Sequence, residues 1–213
     1  ATLTPVASWL PQTGVDLSGT TVTVSGSSKT VTGIDFTGYR LINTGNNNIF
    51  EDCIGDFNTT GQTGNKRQWD IRGANPTVRY CKITNPTPIG GVYGLATFDA
   101  TGTITLDHND VRDAAAQDVI AGPDVGGGSN VLIVTETLIK GIHLTVGAHV
   151  DTIDGRGGAP GSTISRNFII GDKTPTSAPA GSGTGFTNAF HDLPTDPHGS
   201  PCNGWIIIET IIV

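Results

Sequence analysis

Aliphatic and aromatic residues recur along this chain at a nearly fixed interval. Successive positions lie 28 residues apart, with a last step of 30: Val22, Phe50, Val78, Leu106, Val134 and Ile164. Three positions after each of them comes a small, mostly polar residue: Ser25, Cys53, Cys81, Asn109, Thr137 and Asn167. Two positions later an aliphatic residue follows in four repeats, Ile83, Val111, Ile139 and Ile169, whereas Gly55 takes this position in the repeat of Phe50. The pattern predicts a short strand, a turn and a second short strand in every repeat.

This repeat predicts an all-β fold, a parallel β-helix solenoid with coils of about 28 residues. A single repeat is too short to bury its apolar side alone, so copies must stack. Stacked coils lie about 4.8 Å apart, and equivalent residues then form columns. We expect the small polar residue to turn the backbone, because short polar side chains bond to their own backbone and tolerate left-handed φ values. The solenoid is predicted to span residues 20–213, with residues 1–19 as an N-terminal extension or cap.

Composition favours this architecture over a helical solenoid. The chain of 213 residues contains 30 Gly, 12 Pro and no Met, with many Thr, Val and Ile residues, which suit strands and turns. No change of composition divides the chain, so one domain is expected. It ends at Val213 inside an Ile-rich strand. Because solenoid ends need covering, we expect either further chain beyond Val213 or a contact within an oligomer or larger assembly.

The charge of the chain restricts its partners. The net charge is -7, and the 12 Lys and Arg residues are spread along the whole length. Phosphate backbones are bound by clustered basic residues, so a nucleic-acid partner is not expected. No run of 18 apolar residues is present, so no membrane-spanning segment is predicted.

Two of the three cysteines fall in the same predicted column. Cys53 and Cys81 would lie in adjacent coils, with their Cα atoms about 5 Å apart, which is within reach of a disulfide. The alternative is that both are small buried residues in a turn. Cys202 has no partner in the pattern. No Cys-x-x-Cys pair is present, so no metal site is predicted at the cysteines.

A second set of strands is expected to carry the candidate chemistry. We aligned five segments on the hydrophobic residues Ile71, Phe98, Ile120, Ile153 and Phe190. Alternation places the next residue of each segment on the outer face: Arg72, Asp99, Ala121, Asp154 and His191. Carboxylates beside an imidazole suit proton abstraction or glycosidic cleavage. Asp154, His191 and Asp99 are therefore the candidate catalytic residues, with Arg72 and Trp69 as candidates for substrate binding; the alternative is an ordinary solvated face.

The segment from residue 148 to residue 158 holds the densest cluster of polar side chains. His149 and Asp151 share a strand face with Ile153, while Arg156 lies near the following turn. One interpretation is a buried hydrogen bond between His149 and Asp151 that fastens a coil. The other is a sugar site in which His149, Asp151 and Arg156 bind substrate. No cofactor is expected; Ca²⁺ held by Asp118, Asp151 and Asp154 is an alternative without a supporting loop motif.

Several segments resemble the right-handed parallel β-helix proteins of the pectate-lyase-like superfamily. They are the segments Asn-Val-Leu-Ile-Val-Thr-Glu-Thr-Leu-Ile, Ser-Thr-Ile-Ser-Arg-Asn-Phe-Ile-Ile and His-Val-Asp-Thr-Ile-Asp, the last of which begins at His149. The likeness is strongest to secreted actinobacterial and actinophage members and covers about residues 20–213. It implies a right-handed solenoid. That superfamily includes polysaccharide lyases, glycosidases, phage tailspikes and virion surface proteins, so the resemblance implies a fold more than an activity. The chain departs from the pectate lyase pattern, because it has no clear trio of calcium-binding acids paired with a catalytic arginine.

Two functions follow from these observations. The first is a non-catalytic surface component of a virion or cell, such as a spike, decoration or adhesin, which binds a glycan. The second is a secreted polysaccharide lyase or glycoside hydrolase that acts through Asp99, Asp154 and His191. Both place the protein outside the cell or on a virion surface. Its expected partners are a polysaccharide or other virion or surface subunits.

Overall fold

The structure, a computed structural model, describes residues 2–56, 66–84, 92–97, 99–112, 119–122, 130–140, 151–154, 161–170, 188–191 and 206–212. Within these ranges the regular structure is almost entirely β, with one short helix, α1 (Val6–Trp9). In the part of the chain described, no helix has the length and apolar character needed to cross a membrane.

The strands are short and follow one another closely. In chain order they are β1 (Thr4–Pro5), β2 (Val15–Ser18), β3 (Thr21–Val24), β4 (Thr30–Thr32), β5 (Ile34–Asp35), β6 (Arg40–Asn43), β7 (Ile49–Glu51), β8 (Ile54–Gly55), β9 (Lys66–Ile71), β10 (Thr77–Arg79), β11 (Lys82–Thr84), β12 (Val92–Ala96), β13 (Thr103–Asp107), β14 (Asp110–Arg112), β15 (Ile120–Ala121), β16 (Val131–Thr135), β17 (Leu138–Lys140), β18 (Asp151–Asp154), β19 (Thr163–Ser165), β20 (Phe168–Ile170), β21 (Asn188–His191), β22 (Ile206–Ile208) and β23 (Ile211–Ile212).

Three sheets form the faces of a solenoid. Sheet 1 has the order β2-β3-β6-β9-β12-β15-β18-β21, sheet 2 the order β4-β7-β10-β13-β16-β19-β22, and sheet 3 the order β1-β5-β8-β11-β14-β17-β20-β23. From β3 onward, consecutive strands fall in sheets 1, 2 and 3 in turn, so three strands make one coil. Each of these strands pairs in parallel with the equivalent strand of the next coil. The predicted all-β fold and parallel β-helix are confirmed.

The inward column of sheet 2 follows the predicted period. Phe50, Val78, Leu106 and Val134 are register neighbours in consecutive coils, and Ile164 continues the column. All five side chains are fully buried. The interval of about 28 residues is therefore the length of one coil in this part of the solenoid.

The first member of the predicted column is wrong. Val22 lies in sheet 1 beside Leu41, and Val31 is the residue that pairs with Phe50. Both β3 and β4 alternate Thr and Val, so either valine fits a strand pattern, and the first coil is shorter than the later ones. Ser25 accordingly follows β3 in the connection to sheet 2, outside the turn that leads to sheet 3.

The turn between sheets 2 and 3 uses a different residue from the one predicted. The left-handed residue is the one before the small polar position, and φ lies between 49° and 55° at Asp52, Tyr80, His108, Glu136, Arg166 and Glu209. In this conformation the backbone N–H donates to a carbonyl of the next coil, as from His108 to Thr135 at 3.0 Å. At Asp52, Tyr80, His108, Glu136 and Arg166, this hydrogen bond offsets the steric cost of a left-handed residue with a side chain.

The small polar residue after the turn ties each coil to the coil before it. Asn109 Oδ1 accepts a hydrogen bond from the N–H of Cys81 at 3.0 Å, and its Nδ2 donates to the carbonyl of Val78 at 2.9 Å. Asn167 makes the equivalent bonds to its own preceding coil, both at 2.9 Å. Because these side chains are buried, they satisfy backbone groups that water cannot reach.

Cys53 and Cys81 are free, buried thiols in adjacent coils. Each sulfur donates to a carbonyl two residues earlier, Cys53 to Glu51 and Cys81 to Arg79, both at 3.2 Å. The neighbouring Cys53 thiol and burial together raise the pKa of Cys81. The pair therefore fills the turn column as small buried residues in this structure.

The N-terminal segment packs over the first coil. Strand β1 pairs with β5, and β2 pairs antiparallel with β3. Val6 and Val15 enter the core, and the ring of Trp9 lies edge-on to Phe36 with centroids 6.0 Å apart. The apolar end of the first coil is thus covered by β1, α1 and β2.

Gly55 interrupts the aliphatic column of sheet 3 because Trp69 occupies the space of its side chain. A Cβ atom on Gly55 would lie 2.5 Å from Trp69 Nε1, and Trp69 is fully buried against Phe36 with ring centroids 5.8 Å apart. We expect Gly55→Ala to lower the free energy of unfolding by about 1–3 kcal/mol through overpacking. Urea denaturation measures this.

A second variant checks the cause. Trp69→Phe removes the nitrogen-containing ring that a Cβ atom would meet, so the cost of Gly55→Ala should be smaller in that background. An equal cost in both backgrounds would contradict the role assigned to Trp69.

Candidate functional site

The strongest concentration of charge in the described residues lies on sheet 1. Arg40 begins β6, Arg67 and Asp70 lie in β9, and Arg72 directly follows β9. Trp69 and Ile71 point into the core, so alternation places Asp70 between them on the outer face. The site contains these four charged residues together with Asp99, and we call it the arginine cluster.

Asp70 holds three guanidinium groups. Its Oδ2 accepts from Arg40 Nη2 at 2.9 Å and from Arg72 Nη2 at 2.6 Å, while its Oδ1 accepts from Arg67 Nη1 at 3.1 Å. The carboxylate has no exposed surface, although it lies on the outer face of the sheet. Charge-assisted hydrogen bonds to one buried acceptor fix the positions of all three arginines.

Asp99 makes weaker contacts at the edge of the cluster. Its Oδ2 lies 2.9 Å from Arg67 Nη1 and 3.7 Å from Arg72 Nε. Its side chain is 55% exposed, against 0% for Asp70. The five side chains of the arginine cluster therefore carry one more positive than negative charge. The Nε atoms of Arg40 and Arg72 are buried without a hydrogen-bond partner.

The pKa values of the three arginines reflect burial and the two carboxylates. Burial lowers the pKa of Arg40, the nearby charges of Arg72 and Arg67 lower it further, and Asp70 opposes them. The hydrogen bond to Asp70 raises the pKa of Arg72. Burial lowers the pKa of Arg67, but its hydrogen bonds to Asp99 and Asp70 outweigh burial and raise the pKa. A further anion beside these groups would be stabilised by the same charges.

The register predicted for the outer column is correct for three of its five residues. Ala121, Asp154 and His191 are register neighbours in consecutive coils, as predicted. In the two preceding coils, the residues of this column are Ala96 and Asp70. Arg72 and Asp99 lie outside it, so their predicted places are wrong.

The error comes from the choice of inward residue in two strands. β9 has two buried hydrophobes, and Trp69 rather than Ile71 lies beside Leu95. In the next coil Leu95 is the partner of Ile120, whereas Phe98, the predicted inward residue, lies outside the described residues. Asp99 belongs to the turn that follows β12.

The other predicted site residues are placed as follows. Trp69 is a core residue with no exposed surface, so its ring cannot contact a ligand on the outer face. Asp151 lies in β18 as the register partner of Asn188. His149, Arg156 and Asp118 lie outside the described residues. Within the described ranges, no group of three or more His, Cys, Asp and Glu residues is arranged to hold a metal ion.

Sequence reasoning missed Arg40, Arg67 and Asp70. A signal was present, because two arginines flank an aspartate within the six residues from Arg67 to Arg72. Arg40 could not be assigned in this way, since it lies 30 positions from Asp70 and reaches it only through the pairing of β6 with β9.

A second row of polar side chains follows the left-handed turn residues. The rings of Tyr80 and His108 lie 4.9 Å apart, His108 Nε2 contacts Glu136, and Arg166 Nη2 lies 2.6 Å from Glu136. Each contact joins neighbouring coils, so the row stabilises the stack.

Comparisons of the chain with models of protein families, with curated proteins and with solved structures gave no significant match.

Proposed function

We propose that this protein is a non-catalytic β-helical surface component of a virion or cell, and that it binds an anionic glycan at the arginine cluster. The observation that carries the proposal is the set of three guanidinium groups held by the buried carboxylate of Asp70 on the outer face of sheet 1. This local excess of positive charge lies in a chain whose net charge is -7.

Guanidinium groups suit the proposed ligand. An arginine presents several N–H donors in a planar arrangement that matches the oxygens of a carboxylate or sulfate. Asp70 holds the arginines in place before a ligand arrives, so little side-chain entropy is lost on binding. Arg40, Arg67 and Arg72 all keep part of their surface exposed.

The geometry of the two carboxylates favours binding over cleavage. A general acid or base must come within hydrogen-bond reach of the reacting oxygen. Asp70 has no exposed surface, so it cannot reach a glycosidic bond. Asp99 is exposed, but its partner carboxylate in the cluster is this buried one, so the cluster lacks a second carboxylate that could reach the sugar.

A polysaccharide lyase or glycoside hydrolase is the second candidate function. Asp154 and His191 are register partners on adjacent strands of sheet 1, so a carboxylate-bearing and an imidazole-bearing residue occur one coil apart. This is the observation that favours it, because proton transfer to or from a sugar needs such groups close together.

A glycan panel separates the two functions. We expect calorimetric binding of acidic glycans, with no unsaturated or reducing-end product after prolonged incubation. Arg72→Ala should weaken binding about tenfold or more, because it removes a charge-assisted contact. Arg112→Ala, whose arginine pairs with Asp110 on sheet 3, is the matched control and should bind like the parent.

The opposite result is equally clear. Turnover by the intact chain that is abolished by Asp154→Asn or His191→Ala, with the melting temperature unchanged, would replace the binding function by the enzymatic one. Purification of the native protein with a particle or larger assembly would support the surface role.

A further inference from the structure

The two carboxylates of the arginine cluster differ in how firmly they are held. Asp70 accepts from three arginines within 3.1 Å and is fully buried. Asp99 has one contact at 2.9 Å and one at 3.7 Å, and more than half of its side chain is exposed. Only Asp99 can leave the arginines without exposing a buried charge.

The backbone that follows Asp99 is hydrogen-bonded, so we expect the carboxylate to leave the arginines by side-chain rotation. The N–H of Ala100 donates to the carbonyl of Thr97 at 3.0 Å, and the N–H of Thr101 donates to the carbonyl of Gly73 at 3.1 Å. Thr101 also forms a parallel bridge with Ala74. These contacts fix the chain that follows Asp99, whose Oδ2 faces Arg67 and Arg72.

We infer that Asp99 is an internal competitor that occupies the position of the ligand's anionic group beside Arg67 and Arg72. This inference rests on the proposed glycan-binding function and identifies the group that is recognised as a sugar carboxylate. A uronate presents the same planar carboxylate as Asp99, so it can take over the same N–H donors. A neutral sugar cannot replace the charge. Asp99 therefore weakens the binding of anionic sugars, because it competes with them for the same N–H donors.

The exposure of Asp99 limits how much its competition can weaken ligand binding. Ion pairs between partly exposed groups contribute up to about 1 kcal/mol, which corresponds to about fivefold in affinity. Removing the charge of Asp99 should therefore strengthen binding of a carboxylated sugar about two- to fivefold. High salt should reduce the difference, because the contacts are screened.

Calorimetric titration with a glucuronate-containing oligosaccharide tests the inference. Asp99→Asn is expected to bind about two- to fivefold more tightly than the parent, and Asp99→Ala should change affinity in the same direction. Asp110→Asn removes a carboxylate paired with Arg112 on sheet 3 and should leave affinity unchanged. The carboxyl-reduced oligosaccharide should gain nothing from Asp99→Asn. Equal or weaker binding of the uronate by both Asp99 variants overturns the inference while leaving glycan binding intact.

Thermal denaturation in sodium sulfate separates this inference from the proposed function. Sulfate should raise the melting temperature of Asp99→Asn more than that of the parent, because the vacated arginines bind the anion. If no glycan binds but this difference is found, the proposed glycan-binding function is wrong, and competition between Asp99 and an anion is supported. Equal shifts of the melting temperature in parent and variant, including no shift in either, contradict the inference that Asp99 competes with an anion.

Discussion

Replacing Val134 with aspartate is expected to unfold the protein or leave it marginally stable at room temperature. Val134 is fully buried between Leu106 and Ile164 in the inward column of sheet 2. A carboxylate there would have no partner, and an unpaired buried charge costs several kcal/mol, which is comparable to the whole stability of a domain. Circular dichroism during heating measures the loss of the transition.

Val131→Asp is the matched control for this substitution. Val131 lies in the same strand, β16, but is only partly buried, so the same chemical change should cost far less there. Comparable melting temperatures for the two variants would mean that the inward column is not the core of the fold.

Replacing Asp70 with asparagine is expected to produce the second-largest loss of stability. The three arginines would keep their positive charges but lose the negative charge that holds them together, and the amide would direct an N–H at guanidinium donors. Removing one partner of a buried ion pair costs about 3–5 kcal/mol, and the partial exposure of the arginines favours the lower end. The free energy of unfolding in urea measures the effect.

Asp99→Asn serves as the control at the exposed carboxylate of the same cluster. Its expected cost is within about 1 kcal/mol. Added sulfate should restore part of the stability lost in Asp70→Asn, since an external anion can replace the missing charge. A small effect of Asp70→Asn would mean that water screens the cluster and that Asp70 does not position the arginines.

The fold could be predicted from sequence because sheet 2 has a regular period. The side chains of Phe50, Val78, Leu106 and Val134 fill one column, and every coil must place an apolar residue there to exclude water. The same regularity located the polar turn column. It did not reveal that the left-handed backbone belongs to the preceding residue, because the asparagine side chains of this column bond to the neighbouring coil.

The arginine cluster was less accessible to sequence reasoning because sheet 1 has no constant period. Trp69, Leu95, Ile120 and Ile153 form its inward column, yet their spacings along the chain differ widely. Strand β9 offers two apolar residues for the same role, Trp69 and Ile71, and the space beside Gly55 accommodates the indole ring of Trp69. The register of Asp70 against neighbouring coils therefore depends on packing that no local pattern shows.

The N-terminal cover of the first coil bears on aggregation. A strand at the edge of a sheet presents unpaired N–H and carbonyl groups to which another chain can add. Strand β1 has only two residues, and its second, Pro5, has no N–H to donate. Strand β2 runs antiparallel to its neighbour and carries Asp16. The edges that sheets 1 and 3 present at this end of the solenoid therefore discourage the addition of a strand from another molecule.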